Sequence, residues 1–432
     1  MARHFALFAT LTLLLSALAC GLPIPASPSE SDIPTPDIVS TMVSATLTAV
    51  VPAPSEEASP TPALAPAPST ILTIVYSRGG NILLWREGET PRTLTTTGID
   101  EQPRISDDGQ MIVFLRNGEL YAIRADGTGE RPLITRAYLD TFRAAGILEV
   151  RIQRFDFIPA SRDIFFSLYA ETDGYPMPFD DLQRVNAETA ETKIILPQGR
   201  GGGNWTFSPA GKFFALSQGN QIRVLRPDGS EDRVVFTFDP VSTYSEWTYY
   251  PEIVWRNDEE GFYTVIPAST ALENPSQPTR YYYIPLSGMP AQLAEFVTVP
   301  VWESFPRLAP NGMSVAYVRP DSGSQSLHII DLSTADLRLQ TASRIYIENW
   351  NPNARHVTFY NPEMASDVFA QAAGEAPAQL NDSPSGWDNL RWVSERRFLF
   401  RTSAGELRLR DGSAPSIVLD TGITEYDFTL AP

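Results

Sequence analysis

Histidines and acidic residues are the groups in this 432-residue chain that could support metal or acid–base chemistry. After the first 20 residues the histidines are His328 and His356, and neither has a neighbour at metal-ligand spacing. The Asp-Gly turns lack the twelve-residue ligand pattern of a calcium loop. No G-x-S-x-G sequence occurs, which argues against a hydrolase nucleophile. The sequence therefore predicts no metal, no cofactor and no catalytic residue set.

Adjacent carboxylates leave one enzyme class open. Asp180-Asp181 and Glu259-Glu260 are such pairs, although neighbouring acidic residues usually form a solvated turn. Glycoside hydrolysis needs two carboxylates that face each other across a cleft. One hypothesis is therefore a glycan-active lyase or hydrolase that uses carboxylates with Tyr175 or Tyr249, and the favoured hypothesis is a non-catalytic binding module.

Aromatic residues with polar neighbours occur in and beside four long segments, 136–148, 170–181, 239–250 and 267–279. Aromatic and polar groups together suit a protein interface or the stacking face of a sugar. The candidate binding residues are Tyr138, Tyr175, Phe179, Asp180, Tyr244, Trp247, Tyr249 and Trp302. The alternative is that these aromatics fold back and cap the elements beneath them.

The elements that position these segments are copies of the stretch 102–135. It contains three tight turns, at Asp107-Asp108-Gly109, Asn117-Gly118 and Asp126-Gly127, between runs rich in β-branched and aromatic residues. This pattern predicts antiparallel strands joined by hairpins. Four strands in about 35–50 residues form one propeller blade, and a single blade cannot bury its own faces. The fold class is therefore an all-β propeller.

Two series of repeats give the blade number. The first strands of the units centre on Arg104, Asp156, Thr206, Val254, Arg307, Asn349, Arg391 and Asp427. The last hairpins carry their own series of Gly-containing turns, and both series predict eight blades, with seven as the alternative. The unit that begins at Ile71 has no first strand, and 425–430 matches that strand, so the ring is expected to close there.

The middle positions of the first strands are expected to border the central channel. Charged side chains there are Arg104, Asp156, Arg307, Arg391 and Asp427. They could bind a polar ligand, or they could pair between neighbouring blades, since an unpaired buried charge is costly. In the second case the propeller could be a structural spacer. The four long segments all fall on one face of the ring, and long loops usually mark the functional side of a repeat scaffold.

The turns resemble a known family. Phe207-Ser208-Pro209-Ala210-Gly211-Lys212, 308–312 and 105–109 resemble the S-P-D-G turn of TolB-type, WD-repeat-like propellers, over about 71–432. The units with Trp255-Arg256-Asn257-Asp258 and Trp392-Val393-Ser394-Glu395 depart from that motif. The resemblance implies the propeller fold. Its members include partner-binding proteins, propeller domains of peptidases and glycan-active enzymes, so it does not select a function.

The N-terminus predicts export. Arg3 precedes an apolar stretch from Phe5 to Leu18, and Ala19 precedes Cys20, the one cysteine of the chain. This arrangement resembles the lipobox of bacterial lipoproteins, which implies cleavage after residue 19 and a lipid on Cys20. The alternative is an ordinary secretory signal. Residues 20–70 are rich in Pro, Ser, Thr and Ala, which predicts a disordered linker before the propeller at 71–432.

The charge limits the partners. A formal net charge of -18 argues against nucleic acid. The expected protein is anchored by its lipid to the outer face of a bacterial membrane, at the cell surface or in the periplasm. Its partner is expected to be a protein or a glycan of the envelope, and its oligomeric state is left open.

Overall fold

The computed structural model describes residues 70–431 except 272, 334, 335, 365, 366, 384 and 385. The predictions for the signal sequence, for Cys20 and for the linker lie outside the described residues. Within them, no helix is both long enough and apolar enough to cross a membrane.

Eight antiparallel sheets, called blades here, form a closed ring around a central channel. From the channel outwards, blade 1 contains β33 (Ile423–Ala431), β1 (Ile71–Arg78), β2 (Asn81–Arg86) and β3 (Arg92–Thr93), and blade 2 contains β4 (Asp100–Ile105), β5 (Met111–Arg116), β6 (Glu119–Arg124) and β7 (Arg131–Ile134). Blade 3 contains β8 (Glu149–Phe157), β9 (Asp163–Glu171), β11 (Leu182–Asn186) and β12 (Thr192–Leu196), with the short β10 (Met177–Pro178) paired to β9.

The other five blades have four strands each. Blade 4 contains β13 (Asn204–Phe207), β14 (Phe214–Ser217), β15 (Gln221–Leu225) and β16 (Arg233–Thr237), and blade 5 contains β17 (Ile253–Trp255), β18 (Gly261–Ile266), β19 (Thr279–Pro285) and β20 (Ala291–Phe296). Blade 6 contains β21 (Arg307–Leu308), β22 (Ser314–Asp321), β23 (Ser324–Asp331) and β24 (Leu337–Ala342). Blade 7 contains β25 (Tyr346–Trp350), β26 (Val357–Tyr360), β27 (Val368–Gln371) and β28 (Ala378–Gln379), and blade 8 contains β29 (Asp388–Trp392), β30 (Arg397–Arg401), β31 (Leu407–Asp411) and β32 (Ile417–Asp420).

The C-terminal strand closes the ring, and the prediction of eight blades is confirmed. β33 pairs antiparallel with β1 from Ile71↔Ala431 to Arg78↔Ile423. The innermost strand of blade 1 therefore comes from the opposite end of the propeller sequence. This pairing satisfies the backbone groups that β1 would otherwise expose as a free sheet edge.

The S-P-x-G turns are positioned by local chemistry and by contact with the next blade. In blade 4 the N–H of Gly211 donates to the carbonyl of Ser208 at 2.8 Å, and the hydroxyl of Ser208 accepts from the N–H of Phe213 at 3.0 Å. Gly211 has φ +68°, and a Cβ there would lie 2.6 Å from the carbonyl oxygen of Pro159 in blade 3. Glycine is thus required both by the backbone conformation and by the close approach of two blades.

The core lies between consecutive blades. Between blades 3 and 4, for example, Phe165 packs edge-on against Phe214 at 5.0 Å and against Trp205 at 6.4 Å. Tryptophans at the ends of inner strands also hydrogen-bond across blades: Trp255 Nε1 donates to the carbonyl of Thr206, and Trp350 Nε1 to the carbonyl of Arg307, both at 3.0 Å. These bonds fix the spacing of neighbouring inner strands around the channel.

The long connections all open on one face, called the long-loop face. The β7–β8 connection carries the short helix α1 (Arg136–Asp140), and β9–β11, β16–β17, β18–β19 and β20–β21 are the other long connections in blades 3–6. Because strands alternate in direction, every connection between blades and every second hairpin meet on the same side of the ring. A short 3-10 turn, Pro362–Met364, lies in blade 7 on this side.

Candidate functional site

A cavity of about 590 Å³ lies at the channel mouth on the long-loop face, and we call it the mouth cavity. It is built by Arg154 of β8, by the starts of the inner strands of blades 4–6 and by the end of the β16–β17 connection. Its lining residues are Arg154, Asn204, Trp205, Thr206, Trp247, Thr248, Tyr249, Tyr250, Pro251, Glu252, Ile253, Phe305, Pro306 and Arg307.

Aromatic side chains form one wall of the mouth cavity. The rings of Tyr249 and Phe305 stack with centroids 6.3 Å apart and an angle of 12° between their planes. Tyr249 is buried and its hydroxyl donates to the carbonyl of Val265 at 3.2 Å, whereas Phe305 is 39% exposed and Trp247 38%. Burial raises the pKa of Tyr249, so it remains neutral at physiological pH. The wall thus offers flat apolar surface on a fixed support.

A guanidinium group lies against the ring of Trp205. Arg154 Cζ is 4.1 Å from the ring centroid, and its Nη2 donates to the carbonyl of Trp205 at 3.4 Å. Among the described residues Arg154 forms no ion pair, and burial lowers its pKa. Trp205 is 3% exposed, and its Nε1 has no hydrogen-bond partner in the part of the chain described. This side of the cavity therefore carries an unpaired positive charge and an unsatisfied donor.

Glu252 and Arg307 provide the opposite side. The Glu252 carboxylate accepts from the N–H of Leu308 at 3.3 Å. Burial raises the pKa of Glu252, and the charge of Arg307 opposes that rise. Arg307 forms no ion pair within the described residues, and its Nε is buried without a hydrogen-bond partner there. Glu252 has the perturbed pKa that is typical of functional carboxyls in clefts.

A second cavity of about 260 Å³ adjoins the first and shares Arg154, Asn204, Trp205 and Tyr250 with it. The Gly201–Gly203 segment packs closely against its acidic wall, since a Cβ on Gly202 would lie 2.4 Å from Asp180 Oδ1.

The two acidic residues of the second cavity have different environments. Asp181 is buried and accepts from Leu168 N at 2.9 Å and from Gln183 Nε2 at 2.6 Å, so its role is structural. Asp180 is exposed to the second cavity, and burial of its carboxyl raises its pKa. Of this pair, only Asp180 has a carboxylate without a hydrogen bond among the described residues.

The remaining loop candidates are divided between rim and core. Tyr175 and Tyr244 are 70% and 72% exposed, Trp302 is 44% exposed, and all three lie on the long loops. Phe179 is 3% exposed and packs in the core of blade 3, and the Tyr138 hydroxyl donates to Gln183 Oε1 at 2.5 Å. Phe179 and Tyr138 therefore match the capping alternative.

The charged channel candidates differ in whether they form ion pairs. Arg391 and Asp427 form an ion pair of 2.8 Å between blades 8 and 1. Asp156 accepts from the N–H of Phe157 at 2.9 Å, and burial, followed by the charge of Asp427, raises its pKa. Arg104 donates to its neighbour's carbonyl at 2.9 Å. Arg307 alone of these candidates lines the mouth cavity.

Sequence reasoning missed Arg154, Trp205, Glu252 and Phe305 as cavity residues. Trp205 was placed correctly on an inner strand, but its exposure to the cavity depends on how blades 3–6 are arranged. The signal that was available is position: Trp205, Glu252 and Phe305 lie near the start of an inner strand, where the chain enters from the long-loop face, whereas Arg154 lies in the second half of β8.

In the described part of the chain, no group of three or more His, Cys, Asp or Glu side chains could hold a metal ion. His328 contacts Asp336 at 3.1 Å and Ser326 at 3.1 Å. His356 contacts Glu375 at 3.2 Å. Both histidines thus have local hydrogen-bonding partners.

No protein-family model matches the sequence. No curated protein matches it. Among solved structures, dihydro-heme d1 dehydrogenase NirN in complex with DHE gives a TM-score of 0.52 at 11% identity, over 85% of this chain and 77% of that one. A eukaryotic initiation factor gives 0.48 at 9% identity over 84% and 97%, and TolB from Acinetobacter baumannii gives 0.32 at 14% over 61% and 61%. The first likeness supports the β-propeller fold and nothing further.

Proposed function

We propose that this chain is a cell-envelope lipoprotein whose β-propeller binds an envelope polymer or a partner protein through the long-loop face, without catalysing a reaction. The lipobox-like sequence at Cys20 and the Pro-rich segment 20–70 support an anchored and displayed domain. Under this proposal the propeller lies outside the membrane, on the cell surface or in the periplasm.

The observation that carries the proposal is the mouth cavity. Its volume of about 590 Å³ lies within the range of ligand pockets, roughly 300–1,000 Å³. It combines a stacked aromatic wall with a few polar groups from four different blades, which is the composition expected of a specific binding site. The exposed residues Tyr175, Tyr244 and Trp302 lie on long connections of the same face.

The number of carboxylates in the mouth cavity favours binding over catalysis. Of the described residues that line the mouth cavity, Glu252 is the one carboxylate, and it already accepts a backbone hydrogen bond. Glycoside hydrolysis requires a second carboxylate across the scissile bond. Asp180 lines the adjoining cavity and is the residue that would have to supply it.

Binding is tested with the detergent-solubilised full-length protein against envelope fractions, glycan arrays and crosslinking on intact cells. Trp247→Ala should weaken binding by at least about fivefold, because truncation of a central aromatic typically costs more than about 1 kcal/mol. Tyr244→Ala is the comparison variant, because Tyr244 lies on the same face but outside the cavity lining, and a smaller loss is expected. Equal loss in both variants would contradict a site centred on the mouth cavity, and no binding at all would contradict the proposal.

Glu252 gives the enzyme hypothesis one specific point of support, which is its raised pKa in an aromatic-lined cavity. If the protein is a glycan lyase or hydrolase, prolonged incubation with a bound glycan should release shorter products. Glu252→Gln should then abolish release but retain most of the binding, because the glutamine amide keeps an acceptor oxygen. Product release by the wild type would refute the non-catalytic proposal.

A further inference from the structure

We infer that the mouth cavity binds the carboxylated sugar of an acidic glycan, with the carboxylate held between Arg154 and Arg307 and the ring against the aromatic wall. The inference rests on the proposed function and specifies its ligand. It follows from the charges, the unsatisfied donors and the shape of the cavity.

Two unpaired guanidinium groups give the cavity its charge. Arg154 lies at the blade 3 end and Arg307 at the blade 6 end of the lining, and neither forms an ion pair within the described residues. Asp156 and Glu252 interact electrostatically with Arg154 and Arg307 respectively, but neither carboxylate lies within ion-pair distance. By contrast, Arg391 in the same channel has Asp427 as a partner at 2.8 Å. A ligand carboxylate would supply the missing partner and could accept charge-assisted hydrogen bonds.

Unsatisfied donors occur at the same two ends. Trp205 Nε1 and Arg307 Nε are buried without hydrogen-bond partners in the described part of the chain. Trp255 and Trp350, which are the last residues of their inner strands, each donate to a carbonyl of the neighbouring blade at 3.0 Å. Buried polar groups are nearly always paired in native proteins, and the exceptions often mark functional sites. Of the seven such side-chain atoms among the described residues, these two belong to residues that line the mouth cavity.

The aromatic wall and the size of the cavity argue against a simple inorganic anion as the ligand. Tyr249 and Phe305 present stacked rings, and the cavity volume of about 590 Å³ greatly exceeds the needs of a small ion. Aromatic faces bind the C–H face of a sugar ring, while Glu252 offers an acceptor for hydroxyl groups. A ligand with both a carboxylate and a partly apolar ring uses all of these groups.

The net negative charge of the chain disfavours a ligand that carries many closely spaced negative charges. The net charge of -18 repels a dense polyanion such as nucleic acid. A single uronate-type residue needs only the local pair of arginines. An acidic side chain of a peptide could also meet those arginines, but it has no ring to occupy the stacked aromatic wall.

The test is isothermal titration of the detergent-solubilised full-length protein with a glucuronate tetrasaccharide, with its methyl ester and with a tetraglutamate peptide. The acid form should bind, and esterification should weaken binding at least about tenfold because it removes the charge. Arg154→Gln should cause a similar loss. Arg104→Gln is the control, since Arg104 is a channel arginine outside the cavity lining, and a thermal melt of each variant checks folding.

Each alternative outcome overturns a different statement. Equal binding of acid and ester would refute the anionic ligand but would keep the binding function. Tighter binding of the peptide would refute the sugar. If no probe binds, the inference fails, and crosslinking on intact cells then decides separately whether the long-loop face binds anything. Loss of binding in both arginine variants would show that Arg154 has no specific role.

Discussion

Replacement of Asp427 tests how the propeller ring is held closed. The carboxylate of Asp427 lies on β33 and joins three blades: it pairs with Arg391 Nη1 of blade 8 at 2.8 Å, and it accepts from the N–H of Ile105 of blade 2 at 3.0 Å. Asp427 is 9% exposed and Ile105 6%. The same side chain therefore fixes both neighbours of blade 1 at the point where the two ends of the propeller meet.

The two contacts can be separated by two substitutions. Asp427→Ala leaves the N–H of Ile105 buried and unsatisfied, which costs about 1–3 kcal/mol. It also removes an ion pair whose arginine side chain is 39% exposed, and solvent screening limits that contribution to about 1 kcal/mol. The expected loss in unfolding free energy is thus about 2–4 kcal/mol. Asp427→Asn retains an acceptor for Ile105 and should lose only about 1 kcal/mol.

The assay is urea unfolding of the full-length protein at pH 7, followed by tryptophan fluorescence. Arg396→Gln is the control, because its ion pair with Asp411 is 3.6 Å long and both side chains are more than half exposed. That change should be below about 0.5 kcal/mol. Equal effects of the Ala and Asn variants, both within the control range, would refute the role of Asp427 in closure. Ligand binding should be unchanged, since Asp427 does not line the mouth cavity.

Three further changes test the fold and the channel. Trp255→Phe removes the hydrogen bond to the carbonyl of Thr206 and should lower the unfolding free energy by about 1 kcal/mol in urea titrations. Gly211→Ala should destabilise by more than Gly374→Ala in the same assay, because both have positive φ but only the first would bring a Cβ within 2.6 Å of a backbone oxygen. Burial raises the pKa of Asp156. The Asp156 carboxyl therefore stays protonated to a higher pH in the native state than in the unfolded chain. As the pH rises, ionisation of this carboxyl lowers the stability of the fold. In urea unfolding, Asp156→Asn should be more stable than wild type at pH 7 and equal to it below about pH 4. If the propeller is instead a structural spacer stabilised by the Asp156 charge, the variant should be less stable than wild type.

The repeat architecture was determined by the sequence. The turns at Asn117-Gly118 and Ser208–Gly211 depend on glycine or asparagine at positive φ and on hydrogen bonds within about five residues, so they can be recognised without tertiary information. Counting such turns gave eight blades, and the missing first strand before Ile71 gave the closing strand at 425–430. The predicted anchor at Cys20 and the linker to residue 70 stay predictions.

The site could be predicted only in part. The sequence located the long-loop face and named Trp247, Tyr249 and Arg307, which do line the mouth cavity. It could not separate Trp247 and Tyr249 from Phe179, which is also an aromatic residue of a long segment but packs into the core of its blade. Whether a loop aromatic caps a blade or faces the channel depends on the path of the loop, which adjacent residues do not determine.

Only the tertiary structure brought Arg154, Trp205, Glu252 and Phe305 to one cavity, because they come from four different blades. Local hydrogen bonds define each strand and turn, and the same chemistry repeats in every blade, so the sequence is enough to predict them. The cavity instead depends on the curvature of the closed ring, on the lengths of the connections and on which charges find partners across blades. Those are properties of the whole ring. They decide which guanidinium groups lack an ion pair and which donors lack a hydrogen-bond partner within the protein.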